Sequence, residues 1–122
     1  MVLAHYPVFA EKDLEKAVNS LTENFQLKVE QHISSEIFEC YVLVDGNGNH
    51  VDVFHHAMIA EQGLYAMRVD VDDFDAMVAS LKAQGYEYVV RPFEFYSATI
   101  AVMENPSNPV AHRYMVFQHK NG

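Results

Sequence analysis

Four residues in one stretch, His50, Asp52, Phe54 and His56, recur at every second position. Side chains alternate along an extended strand, so all four fall on one face. Imidazole and carboxylate groups held on one face can bind a cation or move a proton. A histidine serves as general base near neutral pH, and a neighbouring carboxylate orients its ring. The competing reading leaves His50 and His56 as solvated strand ends, with His50 too near the preceding turn to reach inward. Asp52 is then simply a paired polar residue. Arg68 is the second case, because it shares a strand face with Ala66 and Asp70. A guanidinium facing a cavity suits a carboxylate or enolate ligand; otherwise it makes an internal salt bridge to Asp70 or Asp52. Arg113, Met115, Phe117 and His119 form the matching face of the last strand, with Met115 and Phe117 making it apolar. His55, His112 and His119 read as surface histidines. No phosphate-binding glycine loop, CxxC pair or nucleophile elbow is present.

These groups need strands to hold them. Val2 to Ala10 reads as a strand. Asp13 opens a helix whose Leu14, Ala17, Val18, Leu21 and Phe25 lie on one face. Leu27 to Ile33 alternates apolar with polar, as a half-buried strand does, and Ser34-Ser35 is a break. Glu36 to Val44 is a strand, Asp45-Gly46-Asn47-Gly48-Asn49 a turn, and His50 to His56 the returning strand. Leu64 to Val71 starts the pattern again. Asp72-Asp73 opens a helix with Phe74, Met77, Val78 and Leu81 on its apolar face, and Gly85 ends it. Tyr86 to Phe95 and Ser97 to Glu104 are strands that break near Phe95-Tyr96. Asn105-Pro106-Ser107-Asn108-Pro109 is a second turn, Arg113 to His119 the last strand, and Lys120-Asn121-Gly122 a frayed tail. Tyr65, Tyr86, Tyr88, Phe93, Phe95 and Tyr96 supply aromatic bulk for the core or a subunit interface.

The halves match: Asp13 with Asp73, Leu14 with Phe74, Val18 with Val78, Leu21 with Leu81. Val53-Phe54-His55-His56 answers Val116-Phe117-Gln118-His119. The expected fold is α+β: two βαβββ modules, residues 2–57 and 63–120, forming curved mixed sheets around a cavity with helices on the outer face. Residues 1–122 make one domain, and the cavity is where a small molecule would bind.

Composition sets the outer bounds. Half of the 122 residues are hydrophobic and a fifth are charged, a globular balance that needs no disulfide. The one cysteine, Cys40, falls in a strand and cannot form an internal disulfide, so the expected location is cytoplasmic. The start lacks the pattern of a signal peptide, and no apolar run approaches the ~20 residues of a membrane helix. A net charge of −9 repels phosphate backbones and anionic lipids, so neither nucleic acid nor membrane is an expected partner. Protonating the seven histidines would cancel much of that charge, so association or solubility should change between about pH 5 and 7.

The pattern resembles the vicinal oxygen chelate superfamily, which includes glyoxalase I, extradiol dioxygenases and bleomycin-resistance proteins. The resemblance covers nearly the whole chain. It is carried by Met67-Arg68-Val69-Asp70-Val71-Asp72-Asp73-Phe74-Asp75-Ala76-Met77, by Leu81-Lys82-Ala83-Gln84-Gly85-Tyr86, and by the turns at Asp45–Asn49 and Glu104–Asn108. The first half departs from it: the usual Phe-Tyr pair late in the helix is absent, and Glu23-Asn24-Phe25-Gln26 replaces the leucine-glycine step. Metal-dependent members draw His, Glu or Asp ligands from the first and fourth strands of each module. Carried over, this implies metal ligation by His5 and Asp52 with a divalent ion (Zn, Ni, Fe or Mn), Tyr6 taking the first position in the alternative register. The second module offers Ala66 and Met115, or Phe117 in another register, and none of these ligates a hard cation.

Three functions follow. The first is a small-molecule binder without the complete metal site, its cavity lined by Tyr6, Ala66, Arg68, Met115 and Phe117. The second is a metal-dependent lyase, isomerase or dioxygenase using His5 and Asp52, with His56 and Asp52 as candidate catalytic groups. The third is a non-catalytic interaction domain. The resemblance also implies a homodimer, in which modules could swap between chains.

Overall fold

The computed structural model describes residues 1–108 and 112–120. Pro109 of the second turn and Asn121-Gly122 of the tail lie outside the described residues. The elements are β1 (Val2–Ala10), α1 (Leu14–Phe25), β2 (Lys28–Ser34), β3 (Phe38–Val44), β4 (His50–His56), β5 (Gly63–Val71), α2 (Phe74–Ala83), β6 (Glu87–Phe95), β7 (Ala98–Glu104) and β8 (Arg113–His119). The fold is α+β, with the βαβββ order occurring twice. The chain divides into two compact units, Tyr6–Tyr65 and Met1–His5 with Ala66–Gly122. The first residues of β1 therefore group with the second module.

In the unit Tyr6–Tyr65 the strand order is β2-β3-β4-β1. β1 runs parallel to β4, with Val8 opposite Asp52 and Ala10 opposite Phe54, and the other pairs are antiparallel. This register decides the faces. Val53 and Leu43 pack with Leu14, Val18 and Leu27 against α1. The opposite face carries His50, Asp52, Phe54 and His56, with Val44, Val42, Cys40 and Phe38 opposite them on β3. In the second unit the order is β5-β8-β7-β6, with β5 parallel to β8. Val69, Val71, Ala101, Met103 and Val116 pack against Phe74, Val78 and Leu81 of α2. Arg68 and Asp70 lie on the other face, opposite Met115 and Phe117.

Both helices start on an aspartate cap. Asp13 Oδ1 accepts the Lys16 N–H at 3.1 Å, and Asp73 Oδ1 accepts the Ala76 N–H at 3.1 Å. Each satisfies a donor that the first turn leaves without a partner. The helices end differently. After α2, Gly85 at φ +95° lets the Tyr86 N–H reach the Leu81 carbonyl and its own N–H reach Lys82. This is the double closure that a left-handed glycine permits. After α1 the left-handed position is held by Gln26 at φ +57°, a conformation strained for a residue with a Cβ.

Two expectations need correction. Phe25 completes the apolar spacing of α1, but as its last residue, beside the Gln26 reversal, it stays 65% exposed. The β2 segment is not half-buried: it is an edge strand with only Ile33 partly covered. Leu27, read as the first residue of that strand, is buried, but it precedes the strand. The break falls at residues 35–37, because Ser34 still pairs with Glu39. Among the described residues no helix is long and apolar enough to cross a membrane.

Candidate functional site

Only three polar or charged residues are buried among those described: Asp52, Arg68 and Asp70. All three lie on sheet faces turned away from the helices. Burying such groups is costly unless they are paired, and each is paired.

In the unit Tyr6–Tyr65, His50 Nε2 lies 2.6 Å from Asp52 Oδ1, and the two side chains are 12% and 7% exposed. The two residues are i and i+2 on β4, so the strand itself brings them side by side. The His50 ring stacks on Tyr6, with centroids 3.8 Å apart. Tyr6 reaches it because Val8 pairs with Asp52, which puts Tyr6, Val8 and Ala10 on the Asp52 face of β1. Alternation places His5 on the other face of β1, and it is exposed. His56 shares the face of Asp52 two positions beyond Phe54, and its Nδ1 accepts the Met58 N–H at 3.0 Å. Phe54 is buried and meets Tyr65 edge-on at 5.1 Å. A dyad of this kind can accept a proton at the imidazole, with the carboxylate holding the ring and offsetting its charge.

The same unit contains a groove of about 420 Å³, lined by Pro7, Phe9, Leu21, Phe25, Leu27, Asp45, Asn49, His50 and Val51. Its acidic end is built by the β3–β4 turn. Asp45 Oδ2 accepts the Asn49 side-chain amide at 2.6 Å, and Oδ1 accepts the Asn47 and Asn49 backbone N–H groups at 2.8 and 3.0 Å. The Asn49 amide and then these N–H groups hold the Asp45 carboxyl below its ordinary value. Sequence reasoning missed this groove; the one signal for it was a phenylalanine ahead of a helix end that lacks glycine.

In the unit containing Ala66–Gly122, Arg68 Nε donates to Asp70 Oδ1 at 2.6 Å and Nη2 to Oδ2 at 3.2 Å. The guanidinium carbon stands 3.8 Å from the centroid of Phe117. Fork and ring face together fix its orientation. Ala66 is buried, and Met115 and Phe117 are half-buried. This arrangement sets a guanidinium–carboxylate pair on an otherwise apolar face.

A divalent ion of the kind the resemblance implies needs several hard donors free to converge on it. Asp52 Oδ1 is engaged by His50 and His56 Nδ1 by Met58. Ala66, Met115 and Phe117 offer no hard donor. Among the described residues no three His, Cys, Asp or Glu side chains stand close enough to hold a metal ion. The described donor set does not fit the family's complete metal site.

The family model of the Glyoxalase/Bleomycin resistance protein/Dioxygenase superfamily matches residues 3–109. No curated protein matches the chain. Among solved structures, methylmalonyl-CoA epimerase from Mycobacterium tuberculosis superposes with a TM-score of 0.76 at 15% identity, covering 98% of this chain and 90% of that one. A hypothetical protein from Bacillus halodurans C-125 gives a TM-score of 0.74 at 11% identity, covering 96% and 94%. A variant of Streptomyces coelicolor methylmalonyl-CoA epimerase in complex with 2-nitronate-propionyl-CoA gives a TM-score of 0.73 at 12% identity, covering 95% and 96%. At these identities the likeness is one of fold.

Proposed function

Because this chain belongs to the Glyoxalase/Bleomycin resistance protein/Dioxygenase superfamily, we propose that it is a small-molecule-binding protein that works without the family's complete metal site. The observation that carries this reading is the placement of Asp52, Arg68 and Asp70. Among the described residues the helical faces bury hydrophobic side chains, Tyr86 with them, whereas the buried charges lie on the non-helical faces. A few oriented polar groups in an otherwise apolar surface are what a ligand site needs. Arg68, held by Asp70 and Phe117, would pair with an anionic or enolate oxygen. Met115 and Phe117 would cover the ligand's apolar part. Separately, in the unit Tyr6–Tyr65, His50, held by Asp52 and Tyr6, would offer its ring to a ligand on that unit's own face.

Native mass spectrometry of gently purified protein tests the reading. A retained small molecule that is lost in Asp52→Ala or Arg68→Ala is the expected result. A protein that retains nothing, and gains no ligand from a metabolite extract, would overturn it.

A second reading is a metal-dependent lyase, isomerase or dioxygenase using His5 and Asp52, with His56 as an acid–base group. The fold shared with two methylmalonyl-CoA epimerases favours it. It requires a metal ligand set beyond the described pairs. The proposal also includes a cytoplasmic homodimer. Exposed Val90, Phe93 and Tyr96 supply apolar surface that a second copy would cover. A monomer by light scattering at micromolar concentration would remove that part.

A further inference from the structure

In the unit Tyr6–Tyr65 the sheet face that meets α1 ends in a carboxylate. Leu43 and Val51 are paired on β3 and β4, and both pack on that face. Two residues further toward the β3–β4 turn, alternation puts Asp45 and Asn49 on the same face. The Asp45 N–H donates to the Asn49 carbonyl there, which carries the pairing on. Asp45, Asn49 and Val51 line the groove of about 420 Å³ beside the end of α1. His50 borders it by its place between Asn49 and Val51, while its ring stands on the opposite face against Asp52 and Tyr6. We infer that this groove binds an apolar molecule carrying one ammonium group, and that the Asp45 carboxylate pairs with that group. The inference rests on the proposed function only in taking the protein as a small-molecule binder. It adds a ligand class and a site on the helical side of the sheet.

Three observations carry it. The first is an open acceptor. An ionised carboxylate offers about four acceptor positions. Asp45 Oδ1 takes the Asn47 and Asn49 backbone N–H groups, and Oδ2 takes the Asn49 side-chain amide. Oδ2 therefore keeps room for one more donor. The second is charge. The Asn49 amide and the two N–H groups hold the Asp45 carboxyl below its ordinary value, so it is ionised at neutral pH. Those donors are neutral, and no lysine or arginine stands among the described residues that line the groove. A cation entering it would meet an ionised carboxylate that no lining cation offsets. A second copy of this chain, itself at −9, brings no net positive charge to that place. The third is the wall. Phe25 is 65% exposed at the groove, and Phe9, Leu21, Leu27 and Val51 continue the apolar lining. A bound ring would take this surface out of water. The volume lies in the range of small-molecule sites, roughly 300–1,000 Å³.

The test compares 2-naphthylmethylamine, 2-naphthylmethanol and 2-naphthoate by calorimetry on the full chain at neutral pH. The three share an apolar body and carry an ammonium, a neutral hydroxyl and a carboxylate. Wild type should bind the amine about tenfold tighter than the alcohol, the difference between a charged and a neutral hydrogen bond. The carboxylate should bind most weakly. Asp45→Asn should bring the amine down to the alcohol; an amide oxygen still accepts the two backbone N–H groups, which keeps the turn. Phe25→Ser, at an exposed position outside the helix–sheet core, should weaken amine and alcohol several-fold. Equal affinities of amine and alcohol in wild type would overturn the inference. So would a preference that persists in Asp45→Asn, binding that ignores Phe25→Ser, or no binding of the amine. A dimer that Phe25→Ser breaks, in a chain that binds no amine, would assign the groove to a second copy instead. If Asp45→Asn unfolds, the wild-type series and Phe25→Ser still decide. A small molecule retained in native mass spectrometry, with no binding of the amine, would remove this site and leave the proposed function standing.

Discussion

The two modules share a frame and differ in where they put charge. In one, Val8 of β1 stands opposite Asp52 of β4; in the other, Arg68 of β5 stands opposite Met115 of β8. The next pairs are Ala10 with Phe54 and Asp70 with Phe117. The registers are equivalent, so Met115, not Phe117, is the counterpart of Asp52, and Arg68 is the counterpart of Val8. One module therefore keeps its polar groups on its fourth strand and the other on its first. The lesson is that a duplicated scaffold fixes positions without fixing chemistry. The helix ends repeat that lesson, with Gly85 closing α2 and Gln26 straining α1.

This comparison can be broken at several points. The largest effect is expected from Arg68→Ala. Asp70 would be left buried with its fork partner gone, at a cost of about 3–5 kcal/mol. Urea unfolding measures it, and a loss under about 1 kcal/mol would mean that water reaches the pair. Next come the matched leucines. Leu81 is 1% exposed in the α2 core, so Leu81→Ala should cost about 2–5 kcal/mol. Leu21, half-buried beside the groove, should cost clearly less. Equal losses would mean that α1 is packed as tightly as α2. The caps follow. Gly85→Ala meets Asn105 Nδ2 at 3.2 Å and a strained φ, while Gln26→Gly relieves one. The first should destabilise and the second stabilise, each by about 1 kcal/mol, read as shifts in denaturant midpoint.

The smallest effect is one of pH. Burial, and then Tyr114, push the Tyr86 phenol above its ordinary value. The folded chain thus keeps a proton that the unfolded chain loses. This contribution is complete below about pH 10, the ordinary tyrosine value, and is lost as pH rises beyond it. Tyr86→Phe should flatten the alkaline limb of a stability profile. An unchanged limb would place that sensitivity elsewhere.

Much of the frame was legible in the residues. β1, β4 and β8 begin and end where alternation and turns place them, and both aspartates cap their helices. Arg68–Asp70 was one of two pairings open to that arginine, and i to i+2 spacing on a strand favours it. The same spacing joins His50 to Asp52. Its nearness to the turn argued against inward reach, yet the turn, held by Asp45, leaves the ring stacked on Tyr6. The choice between His5 and Tyr6 depends on which residue of β1 faces Asp52. That is a register between distant strands, and local pattern does not carry it. Edge position explains β2: its alternation is real, but no layer covers either of its faces.

Metal content is the most direct test of the central claim, that this member of the family binds a small molecule without a complete metal site. The protein is dialysed against Zn, Ni, Fe or Mn and then against metal-free buffer, and its metal is counted by elemental analysis beside Asp52→Ala. The account predicts substoichiometric metal that is the same in both proteins. One equivalent per chain, lost with Asp52, would contradict it.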